Sequence, residues 1–277
     1  LSGSVSNPVQ IRSAPLKEPW RFQGSFFIII VAVPLMEGDV MKYKNLIFDL
    51  YGTLVDIHTE TEGEMLWEKT PLYFSFYGAH YSGRELENAY EERIARMDAM
   101  AGQSYECFPE MKFETIFEEL FQRKGVTEGT EKLAWNAAQV FRILSIDYIR
   151  LYPGVKEALE RLRGEGHALW LLSNAQRVFT QYELEALGLS EYFDGVYLSS
   201  DYGCRKPDIR FFETLFLDKG IAPQDALMIG NDLEADVEGA KKAGLTTLFL
   251  RTNLSPQGKK GSSKPKAADY VLESMDW

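Results

Sequence analysis

The sequence predicts an α/β protein, a Rossmann-like parallel sheet with helices on both faces, interrupted by an inserted α-helical unit. Three observations lead to this prediction. A short apolar run that starts at Asn45 ends in a carboxylate, Asp49, as a buried strand at a ligand-binding edge would. After Pro153, strand-like apolar runs alternate with helical patterns, which is typical of βαβ units. Between Asp56 and Tyr152, the apolar residues recur at helical spacing instead.

The later part of the chain alternates between the two kinds of segment. The expected strands are Ala168 to Leu172, Val196 to Ser199, Ala226 to Ile229 and Thr246 to Leu250, with one more short strand within Ala268 to Trp277. The expected helices are Gly154 to Arg163, Val178 to Leu187, Ile209 to Lys219 and Leu233 to Ala243. Each helix is followed closely by glycine, at 164, 188, 220 and 244, and glycine often ends helices because it accepts left-handed backbone angles.

The inserted unit is predicted to contain helices and no clear strand. Its helical segments are Glu64 to Phe76, Ser82 to Met100, Phe113 to Lys124 and Glu131 to Tyr148. Because this unit follows the first strand directly, the chain leaves the sheet at the edge where ligands bind, and we expect the unit to lie over the site as a lid. The predicted organisation is a core of residues 41–56 and 152–277 with a helical cap of residues 57–151.

The composition is that of an ordinary soluble globular protein. The 277 residues carry a formal net charge of -11, which argues against a nucleic-acid or anionic-membrane binder, because such partners need clustered Lys and Arg. The two cysteines, Cys107 and Cys204, have neither disulfide nor metal-ligand spacing, so the reducing cytoplasm fits best. The segment Ser255 to Lys266 is expected to be a flexible surface loop.

Residues 1–40 differ from the rest of the chain. A polar start is followed by an apolar run from Ser25 to Met36, which is shorter than the roughly 20 residues that a membrane-spanning helix needs. A signal-peptide core is the alternative, because basic residues precede the run, but no small-x-small cleavage site is obvious. We expect a disordered or non-native extension, with Met36 or Met41 as the functional start.

Polar residues follow four predicted strands at the edge where the strands end. They are Asp49, then Ser173 with Asn174, then Lys206 before Pro207, and finally Gly230-Asn231-Asp232 with Asp236. Each has an ordinary explanation when taken alone, as a turn former, a helix cap or a surface lysine. Their joint placement predicts an active site, because four strand ends rarely supply an acid, a hydroxyl, a cation and an acid pair together.

The residue types at these strand ends fit nucleophilic hydrolysis. Asp49 is suited to attack phosphorus or carbon, which splits one hard hydrolysis into two easier displacements. Ser173 and Asn174 are suited to donate hydrogen bonds to a substrate oxyanion, with helix capping as the alternative role of either one. Lys206 places a positive charge where charge accumulates on the transferring group, although lysines are more often solvated surface residues.

Asp232 and Asp236 lie four residues apart at the start of a predicted helix and therefore share one face. Close to Asp49, these carboxylates would repel it and one another unless a cation lay between them. Oxygen ligands that leave room for water favour Mg²⁺ over zinc or a calcium cage. The alternative is that both acids only complement the positive end of the helix.

The four motifs together resemble those of the haloacid dehalogenase-like hydrolase superfamily, over about Lys42 to Trp277. The first motif is Asp49-Leu50-Tyr51-Gly52-Thr53-Leu54, the second Ser173-Asn174, the third Lys206-Pro207 and the fourth Gly230-Asn231-Asp232 through Asp236. The helical unit matches the cap that this superfamily places after the first motif. Residues 1–40 lie outside the resemblance.

The resemblance implies a role for each matched residue. Asp49 is the implied nucleophile, and Ser173 and Lys206 hold the transferring group. The expected catalytic residues are Asp49, Tyr51, Ser173 and Lys206; the expected substrate-binding residues are Gly52, Thr53, Ser173, Asn174 and Lys206; the expected Mg²⁺ ligands are Asp49, the Tyr51 carbonyl, Asp232 and Asp236.

Tyr51 divides the resemblance between two kinds of enzyme. Phosphatases of the superfamily usually carry Asp at this place, as general acid and then general base. Tyr is similar instead to the L-2-haloacid dehalogenases, which use no metal. A tyrosine hydroxyl, with a pKa of about 10, donates a proton but does not readily accept one from water, so aspartyl-phosphate turnover should be slow. The paired Asp232 and Asp236 resemble the metal-binding phosphatase form.

We therefore predict Mg²⁺-dependent hydrolysis of a small phosphomonoester in the cytoplasm, without nucleic-acid or membrane partners. Metal-independent dehalogenation is the second interpretation, and a weakly active binding or regulatory protein is the third. The substrate and the oligomeric state are not predicted. The cap residues that are candidates to select a substrate, although each alone fits a core or solvated position, are Trp67, Tyr73, Arg84, Arg93, Arg96 and Tyr105.

Overall fold

The computed structural model of the chain describes residues 43–101, 108–256 and 268–273. Its strands are β1 (Asn45–Phe48), β2 (Val55–Thr59), β3 (Ile146–Leu151), β4 (Ala168–Ser173), β5 (Gly195–Leu198), β6 (Ala226–Gly230), β7 (Thr246–Arg251) and β8 (Tyr270–Glu273). Six of them form a parallel sheet in the order β5-β4-β1-β6-β7-β8, so that β1 lies in its interior. The predicted Rossmann-like α/β fold is confirmed.

The helices agree with the predicted segments to within a few residues, except for one four-residue helix that was not predicted and one difference in kind. They are α1 (Glu64–Phe76), α2 (Gly83–Ala101), α3 (Glu114–Arg123), α4 (Thr130–Ser145), α5 (Val155–Gly164), α6 (Arg177–Leu187), α7 (Ser199–Tyr202), α8 (Ile209–Lys219) and α9 (Gly239–Lys242). A single helix was expected from Leu233 to Ala243, but the structure has a π-helical segment, Leu233–Glu238, followed by α9. Such wider turns occur frequently at functional sites, and this one carries Asp236.

The sheet is covered on both faces because successive side chains of a strand point to opposite sides. Leu46 and Phe48 of β1 belong to a buried hydrophobic cluster that also contains Leu159 of α5. Ile47, between them, belongs to a second cluster with Phe212 of α8. Burial on both faces explains why the first strand is a continuous apolar run rather than an alternating one.

The helices α1–α4 follow the first strand of the sheet, as predicted, but lie between two strands that were not predicted, β2 and β3; we call α1–α4 and the segments that join them the helical insertion. They have a hydrophobic core of their own, in which the rings of Phe74 and Phe121 stack with their centroids 4.3 Å apart. Val178 of α6 belongs to the same cluster, so the core of the insertion continues onto a helix that flanks the sheet. The apolar residues of these helices recur at helical spacing because they form this shared core, and that spacing predicted the helices from the sequence.

The expectation of no strand between Asp56 and Tyr152 is wrong. β2 and β3 pair as an antiparallel ribbon, and α4 ends at Ser145, before the helix end that was expected at Tyr148. Arg150 on β3 donates two hydrogen bonds to Asp56 on β2, from Nε at 2.9 Å and from Nη2 at 2.7 Å. The two strands are about ninety residues apart in the chain, so no local pattern could pair them.

Several expectations fall outside the described residues: the extension over residues 1–40, the residues Tyr105 and Cys107, and most of the loop expected over Ser255 to Lys266. Among the helices within residues 43–101, 108–256 and 268–273, none combines the length and the apolar character that a bilayer crossing requires.

Candidate active site

The ends of β1, β4 and β6 bring their polar residues to one edge of the sheet. Asp49 follows β1 directly, Ser173 is the last residue of β4, and Asn231 follows β6 directly. Because β1 pairs in parallel register with both β4 and β6, these three ends lie side by side. This is the edge at which ligands bind in open parallel sheets.

Asp49 is held by hydrogen bonds to both of its carboxylate oxygens. Its Oδ1 accepts from the Ser173 hydroxyl at 3.2 Å and from Lys206 Nζ at 2.8 Å. Its Oδ2 accepts from the Thr53 hydroxyl at 3.2 Å. The residue is only 7% exposed, so the carboxylate is oriented by the chain rather than by water. An oriented, partly accessible carboxylate is the arrangement that a covalent nucleophile needs.

Lys206 lies between two carboxylates. Its Nζ donates to Asp49 Oδ1 at 2.8 Å and to Asp236 Oδ1 at 2.6 Å, and its side chain is almost completely buried. Burial by itself disfavours the ammonium, but the two carboxylates more than offset it and raise the pKa of Lys206 above its ordinary value. Lys206 is therefore charged at neutral pH and binds the two acids together.

Asn174 fixes the backbone of Lys206. Its side-chain Nδ2 donates to the Lys206 carbonyl at 2.9 Å, and its Oδ1 accepts from the Lys206 amide at 2.8 Å. The amide group that was predicted to bind substrate thus makes a two-point contact with the main chain of Lys206. This contact explains how Lys206, which lies in a loop, is aimed at Asp49.

Asp236 is buried against the turn that follows β6. Its Oδ2 accepts from the Asp232 amide at 2.9 Å, and a Cβ added at Gly230 would lie 2.2 Å from that oxygen. Gly230 is thus required by the close approach of the Asp236 carboxylate. Burial raises the pKa of Asp236 to about 7, an effect that Lys206 opposes and Asp49 reinforces.

Asp232 takes the helix-capping role that was the alternative for it. Its Oδ1 accepts from the amides of Glu234 at 2.8 Å and Ala235 at 3.0 Å, which is the hydrogen-bond pattern of an N-cap. The predicted grouping of Asp49, Asp232 and Asp236 is therefore not the observed one. Asp236 is paired with Lys206, and the repulsion that led us to expect a metal is answered by the lysine ammonium.

Asn231 is the residue of the fourth motif that faces the first one, and it was not predicted as a site residue. It is 4% exposed, and its Oδ1 accepts from the Thr53 hydroxyl at 3.3 Å. Its Nδ2 lies 2.2 Å from the position that a Cβ would occupy at Gly52. A usable signal was present in the sequence, because Asn231 follows β6 directly just as Asp49 follows β1.

The Asp49 and Asn231 oxygens beside Thr53 are of the kind that a hard divalent cation binds. Thr53 is fully buried and hydrogen-bonds both Asp49 Oδ2 and Asn231 Oδ1, so these two oxygens lie near one point. Carboxylate, amide and carbonyl oxygens are the donors that Mg²⁺ prefers. Within the described ranges, no group of three or more His, Cys, Asp or Glu residues is arranged to hold a metal ion. A metal at this edge would therefore rely on neutral oxygens besides Asp49.

Tyr51 is directed towards helix α6. Its hydroxyl donates a short hydrogen bond to Glu183 and lies 3.0 Å from the Thr180 hydroxyl. Burial, together with the Glu183 carboxylate, raises the pKa of Tyr51 above its ordinary value. Arg142 of the helical insertion binds Glu183 through Nε at 2.6 Å and lies over the Tyr51 ring, 5.7 Å from its centroid. The single proton of Tyr51 is thus donated to Glu183.

Gly52 and Thr53 form the turn between Tyr51 and β2. Gly52 has a φ of 83°, a left-handed conformation that a side chain would strain, and its carbonyl accepts from the Thr252 hydroxyl at 2.7 Å. Thr53 is buried against Asp49 and Asn231. Both residues, predicted to bind substrate, therefore pack within the turn that follows Asp49.

A strap from the helical insertion, residues 108–112, is bound to the two loops that carry Ser173 and Lys206. The Arg205 amide donates to the Phe108 carbonyl at 3.0 Å. The Glu110 carboxylate accepts from Gln176 Nε2 at 2.7 Å and from the Ser199 hydroxyl at 2.9 Å. Burial raises the pKa of Glu110, although these hydrogen bonds oppose the shift. Sequence reasoning missed this contact because it joins distant segments.

The residues proposed to select a substrate have different surroundings. Trp67 and Tyr73 pack in or against the core of the insertion. Arg93 and Arg96 bind Glu119, with nitrogen–oxygen distances of 2.7 and 2.6 Å, and Arg84 is exposed. Trp67 also lines a cavity of about 390 Å³ in the helical insertion, together with Glu87 and Glu91 of α2.

Comparison with known proteins gives one family. The family model described as "Hydrolase: haloacid dehalogenase-like hydrolase" matches residues 43–244. Phosphoserine phosphatase of Thermus thermophilus is 31% identical over 156 residues, which are 56% of this chain and 61% of that protein. Human N-acylneuraminate-9-phosphatase is 28% identical over 214 residues, 76% of this chain and 84% of that protein. The chain thus spans less than two thirds of the length of the Thermus relative.

One solved structure shows the same fold. The 2-haloacid dehalogenase from Pseudomonas syringae pv. Tomato DC3000 superposes with a TM-score of 0.56, covering 83% of this chain and 94% of that one. The two sequences are 20% identical, so this likeness concerns the fold alone.

Proposed function

The chain belongs to the haloacid dehalogenase-like hydrolase family, and from that premise we propose that it hydrolyses a small phosphomonoester with Asp49 as the nucleophile. The observation that carries the proposal is the Asp49 carboxylate, held between the Ser173 hydroxyl and the Lys206 ammonium at the edge of the sheet. Both donors are placed to stabilise negative charge that moves from the nucleophile onto a transferring group.

Phosphorus is the favoured electrophile for two reasons. The two relatives reported above are named phosphatases: phosphoserine phosphatase and N-acylneuraminate-9-phosphatase. A buried ammonium and a hydroxyl also suit the dispersed charge of a phosphoryl group. The substrate class is therefore a small phosphorylated molecule, whose phosphate would lie against Asp49, Ser173 and Lys206.

The reaction has two displacements. An Asp49 oxygen forms a bond to phosphorus while the bond from phosphorus to the ester oxygen breaks, and the departing alkoxide takes up a proton from water. Water then attacks the phosphorus of the aspartyl-phosphate, which releases phosphate and restores Asp49. Lys206 and Ser173 keep their contacts to Asp49 in the free enzyme and are placed to follow its charge onto the phosphoryl oxygens.

Tyr51 is poorly suited to activate the attacking water. Its hydroxyl is protonated and donates to Glu183. It therefore lacks the basic oxygen with which a carboxylate general base accepts a proton from water. We infer that the second displacement is the slow step. A burst of alcohol release followed by slow steady-state phosphate release would support this inference, whereas equal rates from the first turnover would contradict it.

For Mg²⁺ we propose the ligands Asp49, the Tyr51 carbonyl and Asn231, in place of Asp232 and Asp236. Bound there, the ion would neutralise charge on the phosphoryl oxygens. Asn231→Asp should tighten Mg²⁺ binding by calorimetry, because it adds a negative charge beside Thr53. Asp232→Asn should leave Mg²⁺ affinity nearly unchanged. The opposite ranking of the two variants would return Asp232 to the ligand set.

The decisive experiment measures phosphate release from a panel of small phosphomonoesters, with Mg²⁺ and with chelator. We expect release that requires Mg²⁺ and disappears in Asp49→Asn. Ser274→Ala, a substitution outside the described residues and the motifs, is purified and assayed in the same way and should keep the activity. Activity that survives in Asp49→Asn would show that another group is the nucleophile.

Dehalogenation is the second candidate, and two observations favour it. Tyr51 stands at the place where the dehalogenases carry Tyr, and the residue that faces Asp49 from β6 is a neutral amide, Asn231. Chelator-insensitive halide release from a 2-haloacid, without phosphate release from the panel, would establish this alternative. The cytoplasmic location and the absence of nucleic-acid and membrane partners remain predictions.

A further inference from the structure

Helix α1 is apolar on two opposite faces. Its outer face carries Met65, Leu72 and Phe76, whose side chains are 64%, 62% and 84% exposed. With about 3.6 residues per turn, these three side chains lie within about 40° of one another, on the side opposite the buried face. A helix that is apolar all round is normally covered on every side. The inner face, which is buried in the insertion, consists of Leu66, Trp67, Thr70, Pro71 and Phe74.

The outer residues of α1 form a group, and this distinguishes them from a single exposed apolar side chain. Leu217 on α8 is 85% exposed, but the residue one turn before it is the exposed acid Glu213. Isolated residues of this kind are common on protein surfaces and need no partner. On α1, in contrast, Leu72 and Phe76 are one turn apart and Met65 lies two turns before Leu72.

Together with Lys69, the outer residues have the spacing of a seam between two helices. Met65, Lys69, Leu72 and Phe76 are separated by four, three and four residues. This is the alternation of core positions in a coiled coil, in which a charged residue at one core position fixes how the helices align. The outer face of α1 therefore has the pattern of a helix that packs against another helix.

The outer face is complementary to itself when two copies of α1 run in opposite directions. If Leu72 of one copy is placed opposite Lys69 of the other, Met65 faces Phe76, and every residue of the seam has a partner in the seam. Lys69 then lies close to Glu68 of the second copy, which is one turn before Leu72. A twofold axis makes each of these contacts twice.

Glu68 and Lys69 are available for such a contact. Both are exposed, and neither takes part in an ion pair within the described part of the chain. A second copy of α1 would supply each of them with an opposite charge beside an apolar seam.

Charge argues against two other partners for this face. Surface helices that bind membranes are rich in Lys and Arg on their polar side, whereas the charged residues of α1 are two acids, Glu64 and Glu68, and a single lysine. The net charge of -11 also opposes contact with anionic lipid. The apolar run Ser25 to Met36 of the same chain carries no charge with which Glu68 or Lys69 could pair.

We propose that α1 is the interface of a homodimer, in which the α1 helices of two copies pack antiparallel about a twofold axis. The seam contains none of the residues that meet at the end of β1, so the proposal does not depend on the reaction. One helix pair is a small contact compared with the roughly 800 Å² that each partner buries in a standard interface. We therefore expect a reversible dimer with a dissociation constant on the order of micromolar.

Sedimentation equilibrium of the full chain, from about 1 to 200 µM, tests the proposal. We expect a monomer–dimer equilibrium, and the double variant Leu72→Ser, Phe76→Ser should raise the dissociation constant by at least about 30-fold. The matched control is Leu217→Ser, which changes an equally exposed leucine outside the seam and should leave the dissociation constant unchanged. A wild-type chain that is monomeric throughout, or that forms assemblies larger than a dimer, overturns the proposal.

A charge exchange tests the antiparallel alignment. Lys69→Glu and Glu68→Lys each bring two like charges together across the twofold axis, and each should weaken the dimer about tenfold. The double variant Glu68→Lys, Lys69→Glu restores the opposite charges and should return the dissociation constant to within about threefold of the wild type. If the two substitutions weaken the dimer additively, the proposed alignment is wrong.

A control for net charge accompanies this exchange. Lys242→Glu on α9 makes the same change in net charge as Lys69→Glu, at an exposed position of another helix. It should leave the dissociation constant unchanged. If Lys242→Glu weakens the dimer as much as Lys69→Glu does, the effect comes from net charge and α1 is not the interface.

Unfolding in urea distinguishes a second copy from a covering segment of the same chain. If the chain dimerises, its unfolding midpoint should rise with protein concentration, and Leu72→Ser with Phe76→Ser should abolish this rise. If the wild type is monomeric and Leu72→Ser destabilises that monomer whereas Leu217→Ser does not, another part of the same chain covers the outer face. That result overturns the proposed dimer.

Discussion

The carboxylates at the edge of the parallel sheet, where β1 and β6 end, and those of the cavity in the helical insertion differ in how their charge is balanced. At the edge, Asp49 and Asp236 are buried and share the ammonium of Lys206. In the cavity, Glu87 and Glu91 have no ion pair within the described residues and keep contact with solvent. Burying the first pair without a cation from the chain would cost too much free energy, whereas water solvates the charge of the second pair.

Because of this difference, removing a charge should change the free energy of unfolding strongly in one region and only slightly in the other. At the edge, loss of the cation leaves buried carboxylates without compensation, so the folded state itself is affected. In the cavity, loss of an acid that keeps contact with solvent should hardly affect folding. The same measurement, the free energy of unfolding in urea, therefore tests both halves of the comparison.

Lys206→Met should have the largest effect. It leaves Asp49 and Asp236 buried without their shared cation, and we expect the free energy of unfolding to fall by about 3–5 kcal/mol. Phosphate release should also be lost, because the variant has no ammonium beside Asp49, the proposed nucleophile. A variant that unfolds like the wild type would show that the buried acids are compensated in some other way.

Arg142→Met tests the contact between the insertion and the turn of Tyr51, and its effect should be intermediate. Arg142 and Glu183 are largely buried, so Glu183 loses its cation at a cost of about 1–3 kcal/mol. The control is Arg161→Met, which removes an exposed ion pair with Glu165 and should cost less than about 0.5 kcal/mol. Equal losses in the two variants would mean that the Arg142 contact contributes no more than a surface pair.

Glu110→Gln should have a smaller effect that depends on pH. Burial raises the pKa of Glu110 above its ordinary value, against the opposing field of Arg205. The stability that Glu110 contributes is therefore full below the ordinary glutamate pKa and is lost as pH rises through the raised value. The glutamine variant keeps hydrogen-bonding partners for Gln176 and Ser199 without the charge.

The expected result for Glu110→Gln is no change in unfolding free energy at acidic pH and a gain of about 0.5 kcal/mol at neutral pH. Glu110→Ala, which loses the hydrogen bonds at every pH, should be destabilised throughout the range. A glutamine variant that is less stable than the wild type at neutral pH would mean that the charge of Glu110 is favourable in the strap.

The double variant Glu87→Gln, Glu91→Gln should have the smallest effect on stability, within about 0.5 kcal/mol of the wild type. Because the two acids lie four residues apart on α2, removing their mutual repulsion should raise stability slightly if it changes at all. A loss of 2 kcal/mol or more would show that these acids stabilise the fold. The contrast with Asp49 and Asp236, whose charge the fold must compensate, would then be wrong.

The parallel core could be predicted from the sequence because its signals are local. A run of apolar residues such as Leu46 to Phe48 identifies a buried strand, and glycine after a helix identifies its end. The ribbon of β2 and β3 could not be predicted in this way. Its main polar contact joins Asp56 to Arg150, and its strands are short, so only the tertiary pairing decides their structure.

The site was predicted in part. The convergence of Asp49, Ser173, Lys206 and Asp236 followed from counting strand ends, and the structure brings these side chains together. Which residue of the fourth motif faces Asp49 depends on one turn. There the backbone turns Asp232 into a helix cap and leaves Asn231 pointing at Thr53, a choice set by local geometry that residue type does not reveal.

The antiparallel ribbon of β2 and β3 also determines how the insertion can move. Both crossings between the sheet and α1–α4 run through this ribbon, whose strands lie about 5 Å apart. Two connections so close together hold the insertion at a fixed distance from the sheet but allow it to twist about the ribbon. Asn253 Nδ2 binds Asp56 at the base of the ribbon, and the neighbouring Thr252 binds the carbonyl of Gly52. Twisting of the insertion should therefore be transmitted to the turn that follows Asp49.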